Sequence, residues 1–278
     1  MRSDTAIPAR RPKHLPARRT GELGAAAGEL LLVTALFLAY KAGRIAATGR
    51  VTEATTNAET LWNLERLLHL PDEAALQHFL LDHHTLLLLA NRYYAYVHFP
   101  AIALCLIWLY WRHRTHYRWT RTTLACLTAA GLVLHVLIPL APPRLTPGNG
   151  LIDTLTRYGP SVYGPPDTDT LSNQYAAMPS LHVGWALVVA VALATVTGGR
   201  RRWIWFAHPL ITGLVVVATG NHYWLDAIVA IALLVIILLV HPVSNPTTVP
   251  AHPRPLVHSQ PITTPSRPET GTATRTTG

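Results

Sequence analysis

Two short segments of the chain carry residue types that can do chemistry on a phosphoester. Ala177 to Gly184 reads AMPSLHVG and Gly220 to Ala227 reads GNHYWLDA, each setting a histidine at the start of an apolar run. His222 and Asp226 are four residues apart, a spacing that on a helix puts both on one face and lets the carboxylate engage the imidazole. A histidine oriented in this way is an activated nucleophile or base. His182 follows Pro179 and Ser180, a pair typical of a helix start, where free N–H groups and the helix dipole favour an anion. A protonated histidine there is the natural acid for an alkoxide leaving group. Arg144 can hold a phosphate with a bidentate fork, and Ser180 and Asn221 can donate to it or cap a helix. This scheme calls for no cofactor and no metal, and the carboxylates nearby are too few for a Mg²⁺ cage.

These residues need helices to position them, and the composition supplies membrane-length ones. Of 278 residues, 50% are hydrophobic and 13% charged. The apolar residues gather into six blocks: 25–43, 85–111, 122–140, 179–197, 203–219 and 222–240. The expected fold is all-α, a polytopic membrane helix bundle with six transmembrane helices. Glu29 interrupts the first block, and Tyr40 and Lys41 stand where a signal-peptide cleavage site would be sought, so this block reads as a retained span. Residues 1–23 form a basic cytoplasmic tail, 24–241 the membrane domain, and 242–278 a tail rich in Pro, Thr and Ser that reads as disordered.

Sixteen of the 23 Lys and Arg residues fall before the first span, between the second and third, in Arg200 to Arg202, or after the sixth. The positive-inside rule then places both termini in the cytoplasm and both histidine segments at the extracytoplasmic face of the cell membrane. The net charge of +9 is thus a topology signal, and without a basic soluble domain interleaved with aromatics nucleic acid is not an expected partner. Cys105 and Cys126 lie inside spans and read as small core residues. Ala58 to Leu70 repeats Leu61, Leu64, Leu67 and Leu68 at helical spacing and with Trp62 reads as an interfacial helix lying on the membrane as a lid. From Ala141 to Met178 the prolines (Pro142, Pro143, Pro147, Pro160, Pro165, Pro166) allow only a long irregular loop. Tyr223 and Trp224 read as interfacial belt aromatics. His98 and His135, inside spans, carry no assigned role, and His113 and His116 read as solvated.

The residues from about Leu124 to Val240 resemble the type 2 phosphatidic acid phosphatase superfamily of membrane lipid phosphatases and phosphotransferases. Arg144 looks like the arginine of its first motif, Pro179-Ser180-Leu181-His182 resembles its PSGH motif, and His222 with Asp226 resembles its H-x-x-x-D motif. The resemblance implies that His222 attacks phosphorus, His182 protonates the leaving oxygen and Asp226 orients His222. Leu137 and Val216 stand where the family has a lysine and a second arginine, and Leu181 where it has a glycine. The form His222-Tyr223-x-x-Asp226 is similar to the inositol phosphorylceramide synthase branch, as, less specifically, is Asn91 to Pro100. The expected activity is cleavage of a lipid phosphoester through a phosphohistidine, the acceptor being water in a phosphatase or an alcohol in a head-group transferase. A non-enzymatic transporter on the same scaffold is the alternative of another class. The partners implied are a lipid phosphate and the bilayer, and oligomeric state is not legible.

Overall fold

The computed structural model describes residues 18–47, 49–164 and 173–243; most of the two tails, with Pro165 and Pro166, lies outside them. The chain is helical, in the order α1 (Arg18–Ala47), α2 (Val51–Leu67), α3 (Glu73–Asp82), α4 (His84–Tyr96), α5 (His98–Arg112), α6 (Arg114–Leu137), α7 (Thr154–Tyr158), α8 (Leu181–Val196), α9 (Ala207–Ala218) and α10 (Trp224–Val240). Among the described residues the one extended pairing is an isolated parallel bridge between Leu140 and Ala176.

Each apolar block is helical, with informative departures. The second is two helices bent by 45° at Val97. Pro100 is the cause: it lacks the N–H that would bond the Tyr96 carbonyl, and its ring crowds that carbonyl. The third helix begins eight residues before the apolar run, so Arg114, Arg118 and Arg121 are helical and His116, expected to be solvated, is buried. Cys105 is buried as expected, whereas Cys126 faces outwards and is no core residue. Of these helices only α6 is by itself long and apolar enough to cross a membrane, or two spans if α4 and α5 count as one; α8 and α10 are shorter apolar helices.

Helix α8 is the hub, in contact with α5, α6, α9 and α10. Its small residues allow this: a Cβ on Gly184 would lie 2.8 Å from Leu127 Cδ2 of α6 and 3.7 Å from the Ala230 Cβ of α10. Leu127, Val188 and Leu234 form the core between these three helices. The segment read as a leucine-bearing helix is helical, as part of α2, and its small residues face the protein. Ala54, Ala58 and Glu65 are buried and Leu61 packs beside them, whereas Leu64, Leu67 and Leu68 are exposed. Helix α3, which the sequence pattern did not reveal, is started by Asp72, whose carboxylate accepts from Ala74 N–H at 3.0 Å. Its Gln77 donates to the carbonyls of Ile152 and Ala218 and accepts from Ile152 N–H, tying the long loop to the end of α9.

Just past the end of α9 the chain turns at Gly220, whose φ of +72° suits glycine. A Cβ there would also lie 3.3 Å from Arg144 Cβ and 3.4 Å from both Gln77 Nε2 and Ile152 O. Gly220→Ala should therefore lower the midpoint of thermal unfolding in detergent by several degrees, a loss of about 1–2 kcal/mol. Gly198→Ala, at φ −75° with open space around it, should leave the midpoint unchanged.

Candidate active site

The two histidine segments meet where the irregular chain between α6 and α8 crosses the ends of α8, α9 and α10. Backbone bonds fasten them: Ala177 N–H to Leu140 O (3.1 Å), Ser180 N–H to Asp226 O (3.0 Å), Arg144 N–H to Gly220 O (2.8 Å), and Asn221 and His222 N–H both to Val216 O. The rings of His182 and His222 are 5.6 Å apart.

His222 does not share a helical face with Asp226. It lies just before α10, Tyr223 is the N-cap, and Asp226 is the third helical residue. The Asp226 carboxylate turns back across the helix start and accepts from Tyr223 N–H at 2.9 Å and from His222 Nδ1 at 3.2 Å. Nδ1 is also 2.9 Å from the Ala177 carbonyl oxygen. Both neighbours of Nδ1 are acceptors, so in the neutral ring Nδ1 carries the hydrogen and Nε2 the lone pair. Asp226 is fully buried and His222 nearly so.

His182 lies in the first turn of α8, as expected, and Tyr94 stacks on it at 4.9 Å. Ser180 is the N-cap of α8, its hydroxyl accepting from Val183 N–H. It is fully buried and not among the residues that line the cavity, and its hydroxyl serves there as a cap. Arg144 is held by three acceptors, Asn221 Oδ1 at 3.1 Å, Asp153 Oδ2 at 3.0 Å and Gln174 Oε1 at 2.9 Å, with its guanidinium over the Tyr163 ring. Two of its five N–H groups are left for an anion. Tyr223 is fully buried, its hydroxyl 3.0 Å from Thr146 Oγ1, so it is not a belt aromatic. Leu137 is exposed on α6 and Val216 is buried in α9, so neither position faces the site with a charge. Leu181 fits where a smaller residue was expected because it packs over Gly131, whose Cβ would lie 2.7 Å from Leu181 Cδ2.

Arg144, His182 and His222 line one end of a cavity of about 630 Å³. It continues between α1, α5 and α6, past Phe37, Ile102, Leu106 and Leu132, to Glu29 and Arg121, which form an ion pair. His98 and His135 also line it, and sequence reasoning had given neither a role. His98 opens α5 just beyond the bend, so no single helical face joins it to Asn91 and Tyr94 of α4, and the sequence pattern carried no signal for it. Asn91 donates to the carbonyls of Thr154 and Gly159 and so fixes α7.

Beneath the site lies a pair of buried carboxyl groups. Glu65 of α2 accepts from Leu225 N–H, in the first turn of α10, at 2.7 Å, while Glu73 accepts from Arg66 Nη2 at 2.7 Å. Glu65 Oε2 and Glu73 Oε1 are both buried without a donor among the described residues, which a protonated Glu65 relieves. Burial, with the bond to Glu73 second, pushes the Glu65 carboxyl up to about 9.

Residues 59–240 match the PAP2 superfamily. The chain belongs to that superfamily, whose members are generally phosphatases and phosphotransferases. No curated protein and no solved structure matches it.

The carboxyl pair gives a pH dependence of defined sign. The folded state keeps a proton that the unfolded chain releases near pH 4.5, so stability falls as pH rises from there and levels off above about 9. Glu65→Gln keeps an acceptor for Leu225 N–H and a donor for Glu73. Its unfolding midpoint should match that of the unaltered protein at pH 5 and exceed it by several degrees at pH 9, as measured by thermal melts in detergent.

Proposed function

We propose that this protein is an integral membrane enzyme that cleaves a lipid phosphoester at the extracytoplasmic face through a phosphohistidine on His222. The observation that carries the reading is the double grip on His222 Nδ1 by Ala177 and Asp226, which leaves Nε2 as a free nucleophile on the cavity wall beside His182. In the first half-reaction Nε2 forms a bond to phosphorus as the bond to the leaving oxygen breaks, and protonated His182 gives that oxygen its proton. Asp226 offsets the positive charge that develops on the His222 ring. Arg144 and the N-terminus of α8 balance the phosphoryl oxygens. In the second half-reaction, neutral His182 takes a proton from water or an alcohol, whose oxygen displaces His222 from phosphorus.

The membrane reading is supported by the outer surface of the helices. Leu104, Ile107 and Trp111 of α5, Leu210 and Leu214 of α9, and Val235, Ile236 and Leu239 of α10 are all exposed. Apolar faces of that extent need lipid around them. In this reading six spans cross the bilayer with both termini cytoplasmic, the loop charges setting the orientation. The apolar cavity leading away from the histidines accommodates a hydrocarbon chain, in keeping with a lipid substrate.

A second reading, head-group transfer of the inositol phosphorylceramide synthase type, is favoured by the charge of the site. With Leu137 and Val216 uncharged and Arg144 already beside Asp153, the site suits a singly charged diester better than a dianionic monoester. Purified protein incubated with ³²P-labelled lipid monoesters and diesters, with and without alcohol acceptors, tests both. Free phosphate marks hydrolysis and a labelled new lipid marks transfer. His222→Ala should abolish turnover and the acid-labile label on the protein, and Asp226→Asn should lower kcat at least about 10²-fold. Turnover retained by His222→Ala would sink the mechanism, while flux without cleavage would favour a transporter.

A further inference from the structure

The end of the bundle away from the histidines holds a basic niche that the reaction does not use. Arg114, Arg118 and Arg121 open α6 at i, i+4 and i+7 and so share one helical face. With Tyr110 of α5 and Gly24 and Gly28 of α1 they line a second cavity, of about 670 Å³. Arg121 is paired with Glu29, and the Arg114 guanidinium lies 3.6 Å from the centre of the Tyr110 ring. Among the described residues neither Arg114 nor Arg118 has a carboxylate partner. Three cations thus face one lining carboxylate, at a helix start with no acidic residue in its first turn and no side-chain cap. Arginines one turn apart repel, and the positive end of the helix dipole adds to the repulsion. An anion held between the guanidinium forks offsets both effects.

The walls indicate what kind of molecule carries that anion. A Cβ on Gly24 or Gly28 meets nothing within 4 Å, so α1 leaves open space beside the arginines. Glu29, Leu32, Tyr117 and Arg121 line both cavities, so the basic niche runs directly into the apolar one, where Val33 and Leu36 of α1 and Leu106 of α5 follow. Arg121 stands about 21 Å along α6 from His135 at the histidine end, more than half of the roughly 30 Å of a bilayer's hydrocarbon core. Resting on the membrane reading above, we propose that the niche between α1, α5 and α6 binds the head group of an anionic phospholipid from the leaflet opposite the histidines, as a bound lipid distinct from the substrate. Its acyl chains lie against Leu32, Val33 and Leu36, beside a helix whose packing in the bundle is chiefly against α6. Inorganic phosphate satisfies the same arginines but makes no use of the apolar wall.

Thermal melts in detergent with dioleoyl phosphatidylglycerol, dioleoyl phosphatidylcholine or inorganic phosphate test the site without any need for turnover. Phosphatidylglycerol should raise the midpoint by about 3 °C or more beyond phosphatidylcholine. That difference should fall by about half or more in Arg114→Gln/Arg118→Gln, which removes two forks, and in Gly28→Leu, which keeps every charge and fills the niche. It should persist in Arg144→Gln, which alters only the histidine end. Each variant is read against its own midpoint without lipid, so destabilisation by the substitution itself does not imitate lost binding. Equal stabilisation by the two lipids, or by phosphatidylglycerol and inorganic phosphate, overturns the inference, as does a difference that survives Gly28→Leu or is lost in Arg144→Gln. A phosphatidylglycerol difference that follows these variants upholds the site even in a protein that turns over no phosphoester. A protein that stays monodisperse once detergent is removed overturns both the membrane reading and the site.

Discussion

A carboxylate with no exposure to solvent must find donors inside the protein, and the surroundings of Asp226 are organised by that demand. It sits in the first turn of α10, where the helix dipole and free N–H groups favour negative charge, and takes one N–H from Tyr223 and one from His222. The second donation orients the imidazole. Because His222 precedes the helix, its backbone is free to turn towards the Ala177 carbonyl, which an i, i+4 pair on a regular helix could not do as readily. The Ala177 carbonyl is itself positioned, since Ala177 N–H bonds Leu140 and Ser180 N–H bonds the Asp226 carbonyl. One ring is thus located by the chain ends of α6, α8 and α10 together.

The elements around that ring act as a frame for loops rather than as sources of reactive groups. Gln77 of α3 and Asn91 of α4 are fully buried amides whose bonds go to the loop backbone at Ile152, Thr154 and Gly159. An irregular segment cannot satisfy its own carbonyls and N–H groups, and side-chain amides, which donate and accept, take the place of helix bonding. Arg144 is fixed in the same way by Asn221, Asp153 and Gln174. A guanidinium held on three sides keeps its remaining N–H groups in one direction, which matters more for a phosphate than the charge alone.

Helix-forming segments and the residues that meet at the candidate site were legible in the sequence, because apolar period and motif spacing are both local signals. His182, His222, Asp226 and Arg144 converge as expected. Features set by tertiary contact were not legible. The i, i+4 reading of His222 and Asp226 assumed a helix that starts two residues too early. The leucine stripe of α2 marked a helix with an apolar face, but not that small Ala54 and Ala58 face the protein, where the backbone at Ala141 approaches and bonds Ala54 O. Burial of Tyr223 depends on Thr146, and that of His116 on helix α6 starting early in polar sequence. Helix α3 has too few turns for a periodic pattern to stand out, and its role rests on one glutamine. His98 looked like an isolated polar residue in an apolar span, and only the bend at Pro100 and its distance to His182 give it a setting.

The uncharged residues at positions 137 and 216 bear on how the site balances charge. Val216 is buried in the core beside Val215 and Val217, and Leu137 points away from the bundle, so a cation at either position would need a different local packing. In the proposed cycle the two site histidines also exchange roles, one gaining a phosphoryl group while the other loses and regains a proton. A site with many fixed cations would hold a phosphate dianion tightly and oppose a protonated His182; with Arg144 partly offset by Asp153, the positive charge at the moment of bond breaking comes largely from the reacting histidines themselves. Stabilisation is then greatest when the phosphoryl group is in transit rather than when substrate first binds. The hydrogen bonds that fix Asp226 Oδ2 and Arg144 let few charges suffice in that scheme, since donors that are already oriented lose nothing to reorganisation as the charge moves.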